Sequence, residues 1–278
     1  MKQALLLTVF VFLINFAVYS QSKIGKAERD LNEDKNVSNQ NGSNISSVDN
    51  NDNLHGNFLS DLVGGLLIDL FAYTAYGIAI EFPFERAYPA STSHLTLYPY
   101  HEDKKGNYTY DLEQKHKLIR NSLSVKYISE NRHLKGAHIN INTLFFNKFG
   151  LEADYLQLWE NNTNFGNDKL AIYSLMGKYQ RIRTEKFNAY WGVGAAYIDG
   201  SVDKFGFLYG LGAELYITKP IGIEANFSQT FINSESVDKL TLLLNYHFKQ
   251  IKFSGGYEHL SIGNQNFSTF GLGLGVFF

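Results

Sequence analysis

The chain contains no cysteine, so no disulfide can staple it. Secreted domains short of core often rely on such bridges, and stability here has to come from another source. Proline is scarce, with 4 in 278 residues. Mean hydropathy is −0.21, too low for a bundle of membrane helices. Neither sign of charge dominates: 25 Lys and Arg stand against 27 Asp and Glu, a net charge of −2. Without a basic excess there is no electrostatic reason to bind nucleic acid. Aromatics and glycine are abundant instead, with 22 Phe, 18 Tyr and 24 Gly.

Four segments are expected. Residues 1–20 read as a cleaved signal peptide: Lys2 supplies the positive start, Leu5 to Val18 the apolar core, and Ala17 to Ser20 the small-residue cleavage options. Residues 21–57 hold no aromatic and are crowded with Asn, Asp, Ser and Lys. Such a segment buries too little apolar surface to offset its ordering entropy, so it is expected to be a disordered linker. In residues 58–90, Phe58, Leu62, Leu66 and Leu70 fall at helical spacing, which predicts a short amphipathic helix on the membrane or over a barrel mouth. A spanning helix over Leu62 to Phe82 is the alternative, opposed by Gly64, Gly65, Asp69 and Glu81.

From residue 91 to 278 the hydropathy alternates with period two, the signature of strands with one apolar face. In the last ten residues Phe270, Leu272, Leu274, Val276 and Phe278 share one parity, while Gly271, Gly273 and Gly275 hold the other and Phe277 is the exception. Leu240, Leu242, Leu244, Tyr246 and Phe248 likewise oppose Thr241, Asn245 and His247, with Leu243 the exception. Ala171 to Gln180 fits less well, because Ile172 and Met176 share a face with Ser174 and Lys178. Runs of about ten to thirteen residues approach the roughly 9–11 that a tilted strand needs to cross a bilayer, whereas soluble strands usually have about 5–6. Closure would leave no bare peptide edge in hydrocarbon. The expected fold is therefore all-β, a transmembrane antiparallel up-and-down barrel. Counting back from Phe278 gives ten strands. Ser91 to Tyr100 and Asn107 to Asp111 would make twelve, so about ten to twelve strands are expected, with twelve favoured and ten the alternative.

The signal peptide, the alternation and the terminal Val276-Phe277-Phe278 resemble small Gram-negative outer-membrane β-barrel proteins. The resemblance implies location in the cell outer membrane, contact with its lipid and lipopolysaccharide, and insertion by the barrel-assembly machinery. The last strand, with Phe270, Leu272, Leu274, Val276 and Phe278, is similar to the signal that machinery reads.

Three constellations are candidate sites. First, Lys126, Glu152, Asp154, Lys178, Glu214, Glu224, Lys252 and Glu258 carry the inward parity. Opposite charges in a narrow interior should pair and hold the lumen shut. A charged path for small solutes is the alternative. Second, His259-Leu260-Ser261 resembles the His-x-Ser of outer-membrane lipid A deacylases, which would make Ser261 the nucleophile and His259 its base on the lipid-facing side. The acid those enzymes place a dozen residues on is missing, since no Asp or Glu follows Glu258. Third, Leu97-Tyr98-Pro99-Tyr100-His101 is followed by Gly106-Asn107-Tyr108-Thr109-Tyr110; the tyrosines read as girdle residues, with a ligand-binding aromatic patch as the alternative. Scattered histidines (His94, His101, His116, His133) show no metal-ligand spacing. Gly271-x-Gly273-x-Gly275 lies on a strand and opens no helix, so no nucleotide fingerprint occurs, and no cofactor is expected. The favoured function is a non-catalytic structural or interaction barrel, ahead of a narrow pore and of an acyl hydrolase.

Overall fold

The computed structural model describes residues 22–32, 93–111, 118–162, 166–232 and 235–278. The expected signal peptide (1–20) and the expected amphipathic helix (58–90) lie outside those residues. The elements in chain order are helix α1 (Lys23–Asn32), two short strands β1 (His94–Leu95) and β2 (Tyr108–Thr109), and ten long ones. The long strands are β3 (Ile119–Ser129), β4 (Leu134–Phe145), β5 (Phe149–Asn162), β6 (Gly166–Arg183), β7 (Phe187–Asp199), β8 (Lys204–Thr218), β9 (Ile221–Ile232), β10 (Glu235–Phe248), β11 (Ile251–Ile262) and β12 (Gln265–Phe277).

Strands β3 to β12 pair with their sequence neighbours, and β12 pairs back on β3 to close an antiparallel barrel. Closure reaches the last residue. The Phe278 amide donates to the Asn121 carbonyl at 2.9 Å, and the Asn121 amide donates back to the Phe278 carbonyl at 2.9 Å. Of the ten to twelve strands expected, the barrel has ten and not the favoured twelve. The two extra segments pair only with each other, at His94↔Thr109 and Leu95↔Tyr108, as a separate miniature hairpin. Pro99 has no amide to give a ladder, and Tyr100 and Glu102 sit at φ 63 and φ 47, so the chain turns back through a single 3-10 turn at His101–Asp103. Ser93, Thr96, Asn107 and Thr109 are buried polar residues, a composition that lipid would not accept.

One mouth, the base, is where β3 begins and β12 ends; the opposite mouth is the rim. The base turns are residues 146–148, 184–186, 219–220 and 249–250. Phe146, Asn147 and Lys249 take positive φ there, which makes the hairpins tight. At the rim the strands run on almost to their connections: β5 ends at Asn162 and β6 starts at Gly166.

The outer face is apolar and wide open. Phe270, Leu272, Leu274, Val276 and Phe278 are all exposed. Phe145, Phe149, Tyr179 and Trp191 touch ring to ring near the base. Tyr155, Tyr173, Tyr197 and Phe205 make a second row nearer the rim. From Phe149 to Tyr155 is about 20 Å along the strand, so an apolar stretch of outer face separates the two aromatic rows.

Inward glycines create room. A Cβ on Gly273 would meet the Lys126 stem at 2.3 Å, and one on Gly212 would meet the Tyr190 ring at 2.3 Å.

The 21–57 segment also departs from expectation: its first part, Lys23–Asn32, is helix α1. Ile24, Ala27, Glu28 and Leu31 are buried, a spacing of i, i+3, i+4 and i+7. The composition that argued for disorder belongs to the Asn-rich stretch after it. The short apolar stripe of α1 suffices because the barrel supplies its partner surface.

Candidate functional site

The lumen is built in layers. At the base, the β1–β2 segment fills the opening. Arg120, at the start of β3 and nearly inaccessible, donates to the Thr96 carbonyl at 3.2 Å and to Asn107 Oδ1 at 2.7 Å. Its guanidinium lies 5.4 Å from the Phe277 ring centre. Asn107 in turn donates to Glu214, and the Tyr216 hydroxyl donates to the same carboxylate at 3.0 Å. Asn147, in the first base turn, accepts the Leu95 amide at 3.1 Å. The Tyr100 hydroxyl donates to the Ile221 carbonyl at 2.5 Å. The aromatic patch of Tyr98 to Tyr110 is thus a stopper for the base rather than a lipid-facing girdle.

Burial pushes the Tyr100 phenol up to about 12 and raises that of Tyr108 as well. Both stay neutral in the folded protein at a pH where an unfolded tyrosine, near 10, already ionises. Their contribution is complete below about pH 10 and is lost as the pH climbs towards 12. Protease sensitivity of residues 93–111 should therefore rise in that window, and a flat profile would contradict it.

Above the stopper lies a polar cavity of about 90 Å³, lined among others by Asn142, Glu152, Tyr190, Glu224, Asn245 and His247. Two ion pairs cross this level: Lys178 to Glu152 at 2.8 Å, and Lys252 to Glu224 at 3.1 Å. Glu224 also accepts from Asn245 at 2.9 Å and Asn226 at 2.8 Å.

Nearer the rim is the densest tier. Lys126 pairs with Glu258, and Lys239 pairs with Asp154. His138 stands between the two carboxylates, with Nδ1 2.8 Å from Glu258 and Nε2 2.5 Å from Asp154. A ring that faces carboxylates at both nitrogens is suited to the imidazolium. This tier joins β3, β4, β5, β10 and β11 across the lumen.

All eight inward charges read from the sequence face the lumen. Lys126, Glu152, Asp154, Lys178, Glu224, Lys252 and Glu258 are brought into ion pairs, whereas Glu214 is held by an amide and a hydroxyl. Sequence reasoning missed Lys239, His138 and Arg120. Lys239 shares the parity of Thr241, and His138 that of Asn140, so the signal was present. Arg120 sits at the strand start, where alternation has no run to rest on.

Between this tier and the rim the lumen turns apolar. Ile128, Leu158, Leu170, Ile198, Leu260 and Phe267 belong to one buried cluster with Ile24, Ala27 and Leu31 of α1. Ile172 is part of it too, and Met176 packs with Tyr190 and Leu208 lower down. These are the residues that spoiled the alternation of β6.

His259 and Ser261 are on the outer face of β11. His259 Nδ1 lies 3.2 Å from the Ser268 hydroxyl and 3.2 Å from that of Tyr257. No hydrogen bond joins it to Ser261 among the described residues. An acid does stand nearby, on the preceding strand: Asp238 is the register partner of Ser261. Its Oδ1 has no hydrogen-bond partner and its Oδ2 accepts from Ser236 at 3.4 Å, so no hydrogen bond joins it to His259 or Ser261 among the described residues. The sequence reading looked only after Glu258 and missed it.

Neither a family model nor a curated protein matches the chain. Among solved structures it aligns with the outer-membrane protein Ail of Yersinia pestis, at 16% identity over 57% of this chain and 99% of that one, TM-score 0.33. It also aligns with an outer-membrane channel from Pseudomonas putida F1 (10% identity, 58% and 95% covered, TM-score 0.37) and with Neisserial surface protein A (14%, 58% and 97%, TM-score 0.29). These neighbours are small Gram-negative outer-membrane barrels.

Proposed function

We propose that this chain is an integral barrel of a Gram-negative outer membrane, with a structural or interaction role and a lumen held shut. The observation that supports it is the tier of Lys126, His138, Asp154, Lys239 and Glu258, which crosses the interior between two covered mouths. Breaking such pairs to pass a solute would leave buried charges uncompensated, at several kcal/mol each. The open apolar outer face and the two aromatic rows favour a lipid surround. On this reading the signal peptide of residues 1–20 directs export, and the outward side chains of β12 (Phe270, Leu272, Leu274, Val276, Phe278) address the barrel-assembly machinery. The base, with its tight turns, faces the periplasm and the rim faces lipopolysaccharide. The reconstituted protein is expected to give no steady single-channel steps in a planar bilayer; regular steps would overturn the closed lumen.

The polar cavity of about 90 Å³ favours a second reading, a narrow pore for small solutes whose stoppers move aside. The same conductance record decides between the two. A hydrolase built on His259 and Ser261 is the third. The geometry does not favour it: His259 Nδ1 is engaged by Tyr257 and Ser268, and no hydrogen bond joins the ring to Ser261 among the described residues. Lipid A from cells with and without the protein should show the same acylation by mass spectrometry, and a lost acyl chain would establish the enzyme.

A further inference from the structure

The rim is built to hold a helix. The cup below it is lined by inward-facing apolar side chains, among them Ile128, Leu158, Leu170, Ile198, Leu260 and Phe267. Lower in the lumen the same inward parity is mostly charged, amide, hydroxyl or glycine, with Met176, Leu208 and Leu243 among the apolar exceptions. An apolar cup open to water is costly, and a lumen that needed only to be sealed could continue the ion-pair tiers. The space that α1 fills is a cylinder of helix width, about 10–12 Å, too broad for a single acyl chain.

The edge of the cup recognises the positive end of a helix. Glu160 accepts the Lys23 amide at 3.1 Å and the Ile24 amide at 2.9 Å, so its carboxylate caps the helix N-terminus. Glu130 meets the Lys23 ammonium at 2.7 Å, and Asp168 accepts from the Ser22 hydroxyl. On the far side, Glu28 of α1 accepts the Ser201 amide at 2.7 Å and the Ser201 hydroxyl at 2.6 Å. Asp30 accepts the Asn264 amide at 3.0 Å.

A ten-residue helix has little stability by itself in water. Its order comes from the cup, and residues 33–92 separate it from the next described segment, so nothing described ties it there covalently at short range. We propose that the rim cup is a docking site for a short amphipathic helix with a basic N-terminal turn and an apolar stripe at i, i+3 and i+7, and that α1 is its resident occupant in cis. The seat accepts the same helix in trans once α1 has left it. This is independent of whether the lumen conducts.

The test uses the full chain in lipid nanodiscs, carrying Ile24→Asp and Leu31→Asp to empty the cup without a deletion. The probe is a peptide of residues 22–32 with a fluorophore at its C-terminus. It should bind this variant saturably at one per barrel, and unlabelled peptide should displace it. A peptide carrying the same two substitutions should bind roughly a hundredfold more weakly or worse, since two buried apolar side chains are lost. Glu160→Gln in the barrel should weaken binding as well. If the double variant does not fold, as read from heat-shifted gel migration, the unsubstituted chain is used, with slower exchange of the same peptide against its own α1. No saturable binding to a folded barrel, or equal binding by the substituted peptide, would overturn the proposal.

Discussion

Replacing Glu258 with alanine should destabilise the barrel by about 3–5 kcal/mol. Its carboxylate pairs with Lys126 and lies 2.8 Å from His138. Both partners are buried. Removing one member of a buried pair costs far more than the pair contributes net, because the surviving charge keeps its desolvation penalty. Urea unfolding of the protein in lipid vesicles measures the change. The double substitution Lys126→Met with Glu258→Gln should recover most of the loss, since the uncompensated ammonium goes with its partner. A single variant that loses less than about 1 kcal/mol would mean that the tier is solvated, and the closed-lumen reading would fall with it.

Replacing Arg120 with alanine should release the base stopper and leave the barrel standing. The guanidinium is the main cross-link between β3 and the β1–β2 segment through the Thr96 carbonyl and Asn107 Oδ1. Two charge-assisted bonds to buried acceptors disappear, worth about 3 kcal/mol together, or roughly a hundredfold in the open population. Limited proteolysis from the base side should cut within residues 93–111 at a correspondingly higher rate. Conductance should stay at zero, because the ion-pair tiers and α1 remain in the path. Steady steps from this variant alone would favour the pore reading. An unchanged cleavage rate would show that the stopper is held by other contacts.

The exceptions to alternation turn out to be the informative positions. Leu243 and Phe277 break the polar parity of β10 and β12, and both point into the lumen. Phe277 lies 5.4 Å from the Arg120 guanidinium carbon and 6.0 Å from His247, ring centre to ring centre, so it is part of the base stopper. Ile172 lines the cup that takes α1. A strand pattern read alone treats them as noise. They have a reason only when another part of the chain is inside the barrel.

From the amino-acid order alone came the strand class, the closing role of the last strand, and the inward parity of eight charges, because a period of two maps directly onto two faces of a sheet. The number of strands, the pairing of Lys239 and His138 with Asp154, and the seat of α1 were decided by tertiary structure. Each depends on which segments share an interior after closure, and a local hydropathy pattern holds no information about partners far away in the chain. The short stripe of Ile24, Ala27 and Leu31 was too weak to stand as a helix without the cup. Likewise, Ser91 to Tyr100 and Asn107 to Asp111 read as barrel strands until the mouth they close gave the buried polar groups of that segment their partners.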